Sequence, residues 1–428
     1  MQREDNALIT EVDSGKPMNE ALKRYWLPAA LSNALYKDCD PVRLTLLCED
    51  YVMFRDSEGR VGILREQCCH RGASLVLGRN EEGGLRCLFH GWKFAVDGRI
   101  LEMPNATDNR YLARYRQPSY PVREAGGFIW VYLGPKEKEP PFPRYGFFDV
   151  PETHRVIELP VGNANYVQLI EALVDTSHVG ALHSDAFRHA NDAEMVKKGN
   201  SGALFRQLAT GLAPIIDLED AEFGFHCAGI RQEQHEGKLV YIARVAAFAM
   251  PFMGFIPGGN IVVMGVPITN TRTHFYHVFW DYDQPFTEER TNQLRAFFGL
   301  HEKAMNDWGL SARTKDLPTS ASRANNFLQD RAAMRRGETF SGILTFVPED
   351  VAICESMGGV LDRTTECLIP ADVGVNRMRR LLMESARRVQ NGEDPIGVNP
   401  SVRPVAVQGI IPDPSQWRTL LPRQANAA

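Results

Sequence analysis

Hydrophobic and polar positions follow two different periods along this chain, and the change of period divides it. Between residues 26 and 134 the apolar positions come in short alternating runs. Examples are VRLTLLCEDYVMFRD (42–56), RVGILRE (60–66) and GGFIWVYLG (126–134), punctuated by Gly, Asp and Asn. Short alternating runs between turn residues predict a small all-β unit. Ahead of it, PMNEALKRY (17–25) predicts a short helix after a Gly-Lys-Pro start, and residues 1–25 are expected to pack on the second domain. Residues 135–146, within GPKEKEPPFPRYG, are rich in Pro and charge and make the expected linker.

Residues 147–428 mix both periods and predict an α+β domain. Apolar spacing predicts helices over 163–183, 287–308 and 373–392, with several strands between about 203 and 282. The longest apolar stretch, Val245 to Ile268, is broken by Pro251, Pro257, Gly258, Gly259 and Asn260. It predicts two buried strands joined by a turn rather than a membrane span. The Pro-rich tail after about 395 is expected to be extended.

Composition adds exclusions. A length of 428 residues suggests two domains, and 44% apolar with 24% charged residues is ordinary for a globular chain. A net charge of −5 offers no basic excess for phosphates, so nucleic acid is not an expected partner. The polar start MQREDNALIT has no apolar signal-peptide core, and a cytoplasmic location without membrane attachment is the expectation. There the eight cysteines, at 39, 48, 68, 69, 87, 227, 354 and 367, are better read as including metal ligands than disulfides.

Three of them stand in CCHRGASLVLGRNEEGGLRCLFHGWK (68–93), two of these as Cys68-x-His70 and Cys87-x2-His90. A structural zinc site usually pairs like ligands, two Cys and then two His. Here each segment supplies one thiolate and one imidazole. That suits two irons of different ligation, one taking both thiolates and the other both imidazoles. Further on, NANYVQLIEALVDTSHVGALHSD (163–185) holds Asp175-x2-His178-x4-His183. At about 100° per residue, His178 and His183 straddle Asp175 too widely for one metal on an ideal helix. The helix is therefore expected to bend or end near Gly180. A site that activates O2 needs two His and a carboxylate on one face.

These segments carry a resemblance. Cys68–Ala73 and Cys87–Lys93 (CLFHGWK) resemble the two ligand loops of Rieske domains, except that Cys69 stands where the family commonly has Pro. Residues 163–185 resemble the iron motif of the α subunits of ring-hydroxylating oxygenases. MNEALKRYWLPA, NFLQDRAAMRRGETFSGI (326–343) and the C-terminal segment resemble the phthalate-dioxygenase group.

The resemblance implies a Rieske [2Fe–2S] domain followed by a helix-grip catalytic domain with an antiparallel sheet. It implies a cluster on Cys68, His70, Cys87 and His90, and a mononuclear Fe(II) on His178, His183 and a downstream carboxylate. GILTFVPEDVAICESMGG offers Glu349 and Asp350 for that place, and Asp350 is chosen. Asp175 would bridge toward the cluster, with the shorter electron route crossing between subunits of a homotrimer or a stacked-trimer hexamer. The implied reaction is dihydroxylation of an aromatic carboxylate of the phthalate or halobenzoate type with O2. An NAD(P)H-dependent flavin, iron–sulfur reductase would supply the electrons. The shared motifs also fit monooxygenation or O-demethylation.

One residue bears on the substrate. Arg244 stands in an otherwise apolar strand, KLVYIARVAAFAMPF (238–252), and a guanidinium there needs an anion. That anion is either a core acid or the carboxylate of a substrate. Arg206, in ALFRQLA, is the second candidate.

Overall fold

The computed structural model describes residues 1–108, 110–189, 211–235 and 238–422. The chain forms two compact units, Val12–Pro143 and Met1–Glu11 with Arg144–Ala428.

The first unit is all-β apart from short helical turns. Its alternating runs pair as antiparallel strands in three small sheets. One holds Trp26–Leu31, Phe128–Tyr132 and Val122–Ala125; the next holds Val42–Leu46, Glu49–Arg55 and Val61–Arg65. The last holds Arg79–Glu81, Gly84–Arg86, Lys93–Phe94 and Ile100–Glu102. Val52, Phe54, Leu64, Leu75, Leu85 and Phe94 are fully buried in one core. The helix expected at 17–25 is Pro17–Leu22. It belongs to this unit and not to the second: its buried Asn19 donates to Val12 O at 2.8 Å and Leu47 O at 3.2 Å.

The second unit is built on a large antiparallel sheet. The strand order is Arg155–Glu158, Arg272–Trp280, Ile261–Thr269, Met253–Ile256, Lys238–Ala249, Gly224–His235, Ile215–Ala221. The apolar run from Val245 thus spans three strands instead of two, because Met253–Ile256 forms its own short strand. The tail is not merely extended. Val407–Ile411 pairs with Tyr241–Val245, and Pro414–Leu420 coils into a 3-10 helix whose Trp417 is buried.

Helix Tyr166–Ala172 and the chain after it lie on one face of this sheet. Glycines on three strands make the approach possible. A Cβ would come 2.5 Å from Ile170 at Gly265, 2.6 Å from Leu173 at Gly254 and 2.5 Å from Thr176 at Gly229. On this same inner face the 18-residue helix Val373–Gln390 packs its Gly374 against Cys227. Glu171 ties the two helices together by accepting from Arg379 at 2.7 Å and from Arg363 at 2.9 and 3.1 Å. The fold is α+β, an all-β unit and an antiparallel sheet with helices packed on its inner face.

Other expected helices are interrupted. The 287–308 segment forms Glu288–Phe298 and Glu302–Asn306, split by Gly299 at φ 66°, where a Cβ would collide with Thr345 O. An additional helix, Arg3–Thr10, docks on the second unit: Asn165 Nδ2 donates to Thr10 O at 2.9 Å and the Tyr166 hydroxyl to Ile9 O at 2.8 Å. Among the described residues no helix is long and apolar enough to cross a membrane.

Candidate metal centres

The two Cys–His segments form loops of the same shape despite their different spacing. In the first, Cys68 N–H donates to Ala73 O and Gly72 N–H to Cys68 O, both at 2.8 Å. In the second, Cys87 N–H donates to Trp92 O at 2.8 Å and Gly91 N–H to Cys87 O at 3.0 Å. Gly72 and Gly91 take φ of 74° and 75°, where a side chain would be strained. Both loops turn their cysteines inward, so that Cys68 and Cys87 are each 3% exposed and belong to the core. His70 and His90 are part-exposed, with ring centroids 4.5 Å apart. Trp92 stacks on His70 at 4.4 Å and donates to Asn105 Oδ1 at 2.8 Å, which fixes the imidazole plane. Two buried thiols beneath two outward imidazoles fit a cluster with one thiolate-bound and one imidazole-bound iron. Cys69 is exposed, yet its thiol is hydrogen-bonded to that of Cys68, which pushes Cys68 up and holds Cys69 down. Its N–H donates to Oε1 of fully buried Gln117 at 2.8 Å, and Gln117 Nε2 donates to Arg65 O and Gln67 O at 2.8 and 3.0 Å.

The second centre begins where helix Tyr166–Ala172 stops. The break falls at 173–177, before His178 and not near Gly180; His178–Leu182 and Ser184–His189 follow as short helices. Two contacts hold the break. Asp175 Oδ1 accepts from Ser177 N–H at 2.8 Å and from its hydroxyl at 2.5 Å. From the sheet, Arg231 donates to Thr176 O at 2.7 Å and Thr176 Oγ1 at 3.2 Å.

This turn aims the imidazoles. His178 Nδ1 lies 2.5 Å from Asp175 O. A carbonyl only accepts, so Nδ1 carries the proton and the Nε2 lone pair faces Asp350 Oδ1 at 3.7 Å. His183 Nδ1 lies 2.7 Å from Glu349 Oε2 and its Nε2 3.1 Å from Asp350 Oδ1. Donor atoms of His178, His183 and Asp350 all fall within 4.8 Å of one another, the one such group found among the described residues. Asp350 and Glu349 share the first turn of helix Val347–Ser356, and they diverge. Asp350 meets both Nε2 atoms. Glu349, 1% exposed, sits behind His183 and also accepts from Ser341 Oγ at 2.6 Å and Phe346 N–H at 3.0 Å. Two imidazole nitrogens and one carboxylate converging on one point fit Fe(II). Sequence reasoning missed Glu349's place behind His183, the clamp by Arg231, and Phe346, which stacks on His183 at 4.5 Å. Only Arg231, a lone cation in a strand, left a signal of the kind that singled out Arg244.

The electrostatics suit a cation. Burial would push Asp175 up, but hydrogen bonds from His178 and Ser177 hold it at about 2. Burial would push His183 down; Asp350 and Glu349 overcome this and raise it to about 9. The metal-free centre therefore holds a proton where a metal would sit.

Arg244 lies on the inner sheet face, opposite Gly229. Its guanidinium donates to Gln408 Oε1 at 2.8 Å and Pro257 O at 2.5 Å, both neutral acceptors. Among the described residues no carboxylate pairs with it. Burial, then the charge of Arg231, lowers its pKa to about 9. Arg206 lies outside the described residues.

Residues 25–121 match the Rieske [2Fe-2S] domain, and residues 131–428 match the family described as LigXa C-terminal domain like. The chain is 33% identical to the phthalate 4,5-dioxygenase oxygenase subunit of Pseudomonas putida, over 97% of this chain and 93% of that one. It is 30% identical to the 3-chlorobenzoate-3,4-dioxygenase oxygenase subunit of Comamonas testosteroni, over 92% and 91%. The structure of Pseudomonas putida CBB5 NdmA with caffeine shares the fold, with a TM-score of 0.58 at 17% identity over 88% of this chain and 94% of that one. Paired Cys–His loops in an all-β unit, a His–His–carboxylate group on a sheet-and-helix unit and these matches along the whole length agree: this chain belongs to the Rieske non-haem iron ring-hydroxylating oxygenases, as an oxygenase subunit.

Proposed function

We propose that this oxygenase takes an aromatic carboxylate of the phthalate or halobenzoate type and adds both atoms of O2 to its ring. The observation that carries the reading is Arg244: a deeply placed guanidinium on the inner sheet face with only neutral partners among the described residues. An unpaired buried cation is costly, and a substrate carboxylate held by two parallel N–H···O bonds would offset that cost. The curated relatives bearing phthalate and chlorobenzoate in their names support the same choice.

In this reading Cys68, His70, Cys87 and His90 hold the cluster, and His178, His183 and Asp350 hold the iron. When bound, the cluster passes single electrons and the iron activates O2. The chain's own work is placement. Asp175 O and Glu349 fix the tautomers of His178 and His183, so that both Nε2 atoms present lone pairs. Asp175 stays ionised and can accept an imidazole N–H from a neighbouring chain's Rieske unit. Arg244 holds the acid so that one ring edge faces the iron. Electrons come from NAD(P)H through a separate flavin, iron–sulfur reductase, and chains assemble as a homotrimer or stacked trimers.

The test is a substrate screen across phthalates, halobenzoates and phenoxybenzoates with a reductase, product analysis under 18O2, and the Arg244→Ala variant. Two labelled atoms in a cis-diol are expected, with acid binding weakened at least tenfold by Arg244→Ala while the protein stays folded. One labelled atom would replace dihydroxylation by monooxygenation or O-demethylation. Turnover of acids by Arg244→Ala at the normal rate would end the Arg244 assignment.

A further inference from the structure

Phe346 opens the helix that carries both carboxylates, and it does so in a conformation that bulky side chains avoid. Its backbone stands at φ 49° and ψ −100°, outside the right-handed, left-handed and extended wells alike. Helices ordinarily start on an extended Ser, Thr, Asp or Asn whose side chain caps the first turn. Phe346 supplies no side-chain cap, so the conformation gains nothing there. Strain of this kind persists only where the surroundings impose it, and it gathers at sites that use it.

Here the surroundings impose it from both flanks. Gly299 fits so closely that a Cβ there would come 2.3 Å from Thr345 O and 2.7 Å from Pro348. The rings of Phe187, Phe297 and Phe298 contact the Phe346 ring at 5.6, 5.0 and 5.2 Å. The result is three contacts to the iron group from one residue. The ring lies 4.5 Å from that of His183 and 20° from parallel. The N–H donates at 3.0 Å to Glu349 Oε2, the oxygen that also accepts from His183 Nδ1. The carbonyl accepts from Asp350 N–H at 2.9 Å, which places the carboxylate that faces both Nε2 atoms. Ring, N–H and carbonyl hang from one Cα, so turning φ or ψ to a common value would swing at least one of them off its partner.

We propose that Phe346 is a positioning residue for the mononuclear iron, held strained so that it sets His183, Glu349 and Asp350 together. This rests on the assignment of His178, His183 and Asp350 as the iron ligands. Glu349 fixes one atom of the His183 imidazole, Nδ1. The stacked ring of Phe346 fixes the imidazole plane, and both are needed to aim Nε2.

The experiment uses anaerobic, cluster-loaded protein, unmodified and as Phe346→Tyr, Phe346→Leu, Phe346→Ala and Phe346→Gly. It reads Fe(II) affinity by chelator competition, the EPR spectrum of the iron with nitric oxide, and the thermal midpoint. Leucine keeps apolar bulk without a ring face. It is expected to weaken Fe(II) binding about tenfold and to alter the nitric oxide spectrum, with the cluster's visible spectrum unchanged. Tyrosine keeps the ring and should hold both readouts near those of the unmodified protein. Alanine and glycine both remove the ring and should bind Fe(II) no better than Phe346→Leu. Glycine tolerates positive φ, so Phe346→Gly should have a higher thermal midpoint than Phe346→Ala, against the usual order. Unchanged iron affinity and nitric oxide spectrum in Phe346→Leu overturn the proposal, whatever its thermal midpoint. A midpoint of Phe346→Ala at or above that of Phe346→Gly removes the strain from it. Should the two small variants fail to fold, Phe346→Leu and Phe346→Tyr still decide. If the unmodified protein binds no iron beyond that of the cluster, the ligand assignment falls and this inference falls with it.

Discussion

Replacing Glu349 with glutamine isolates one charge at the iron group. In the native structure Glu349 Oε2 accepts from His183 Nδ1–H and Phe346 N–H, and Oε1 accepts from the Ser341 hydroxyl. A glutamine with its carbonyl oxygen in the Oε2 place keeps the first two bonds. Its amide then faces the Ser341 hydroxyl, which can turn to accept. Geometry is preserved, and the loss is one buried negative charge behind His183. Carboxylates in this position raise the basicity of the ligand, and losing one typically costs 10- to 100-fold in metal affinity, about 1.4–2.7 kcal/mol. Leucine at the same place would strand three donors at about 1–3 kcal/mol each and is expected to unfold this region. The assay is Fe(II) competition against a colorimetric chelator, with the cluster's visible spectrum reporting that the Rieske unit is intact. Unchanged affinity in Glu349→Gln refutes the role of that charge. Complete loss of iron in Glu349→Gln, with Asp350→Asn still loaded, would exchange the two carboxylates and overturn the ligand assignment.

Three further outcomes follow from the same contacts. Asp175→Asn keeps an oxygen for capping Ser177 and should retain both metals, yet lower turnover about 10- to 100-fold; normal turnover would remove Asp175 from the electron route. Glu171→Gln leaves Arg363 and Arg379, buried at 0% and 3% exposure, without their shared acid, and should cost about 3–5 kcal/mol, read as a lowered thermal midpoint. His183, raised to about 9 in the metal-free protein, is a pH handle. Its proton stabilises the metal-free fold fully below about pH 6.5, and that contribution is lost as pH rises through 9. A metal must displace the proton, so loading near pH 7.5 should release about one proton per ion in a weakly buffered titration and weaken as pH falls.

What was legible in the sequence follows from how each feature is specified. The Cys68–His70 and Cys87–His90 loops were readable because the cluster site proposed for them demands fixed local spacing, which short motifs preserve. His178 and His183 were readable for the same reason, but their convergence was not. It depends on a helix break at 173–177 held by Arg231, a residue of a strand more than fifty positions away. Asp350 and Glu349 are neighbours in sequence and point to different partners only because Val347–Ser356 is helical, so spacing alone left both open. Arg3–Thr10 and Val407–Ile411 are weak elements by composition, and tertiary partners create them: the backbone acceptors offered to Asn165 and Tyr166, and the free edge of Tyr241–Val245. Arg244 was legible as a cation out of place.

The most direct test is iron and acid-labile sulfide analysis with EPR on anaerobically prepared protein, native and His178→Ala. Two distinct centres predict iron in excess of sulfide in the native protein and a rhombic signal on reduction. In His178→Ala they predict the same signal with iron reduced to parity with sulfide. Zinc or no metal at either place, or loss of the rhombic signal in His178→Ala, would contradict the account.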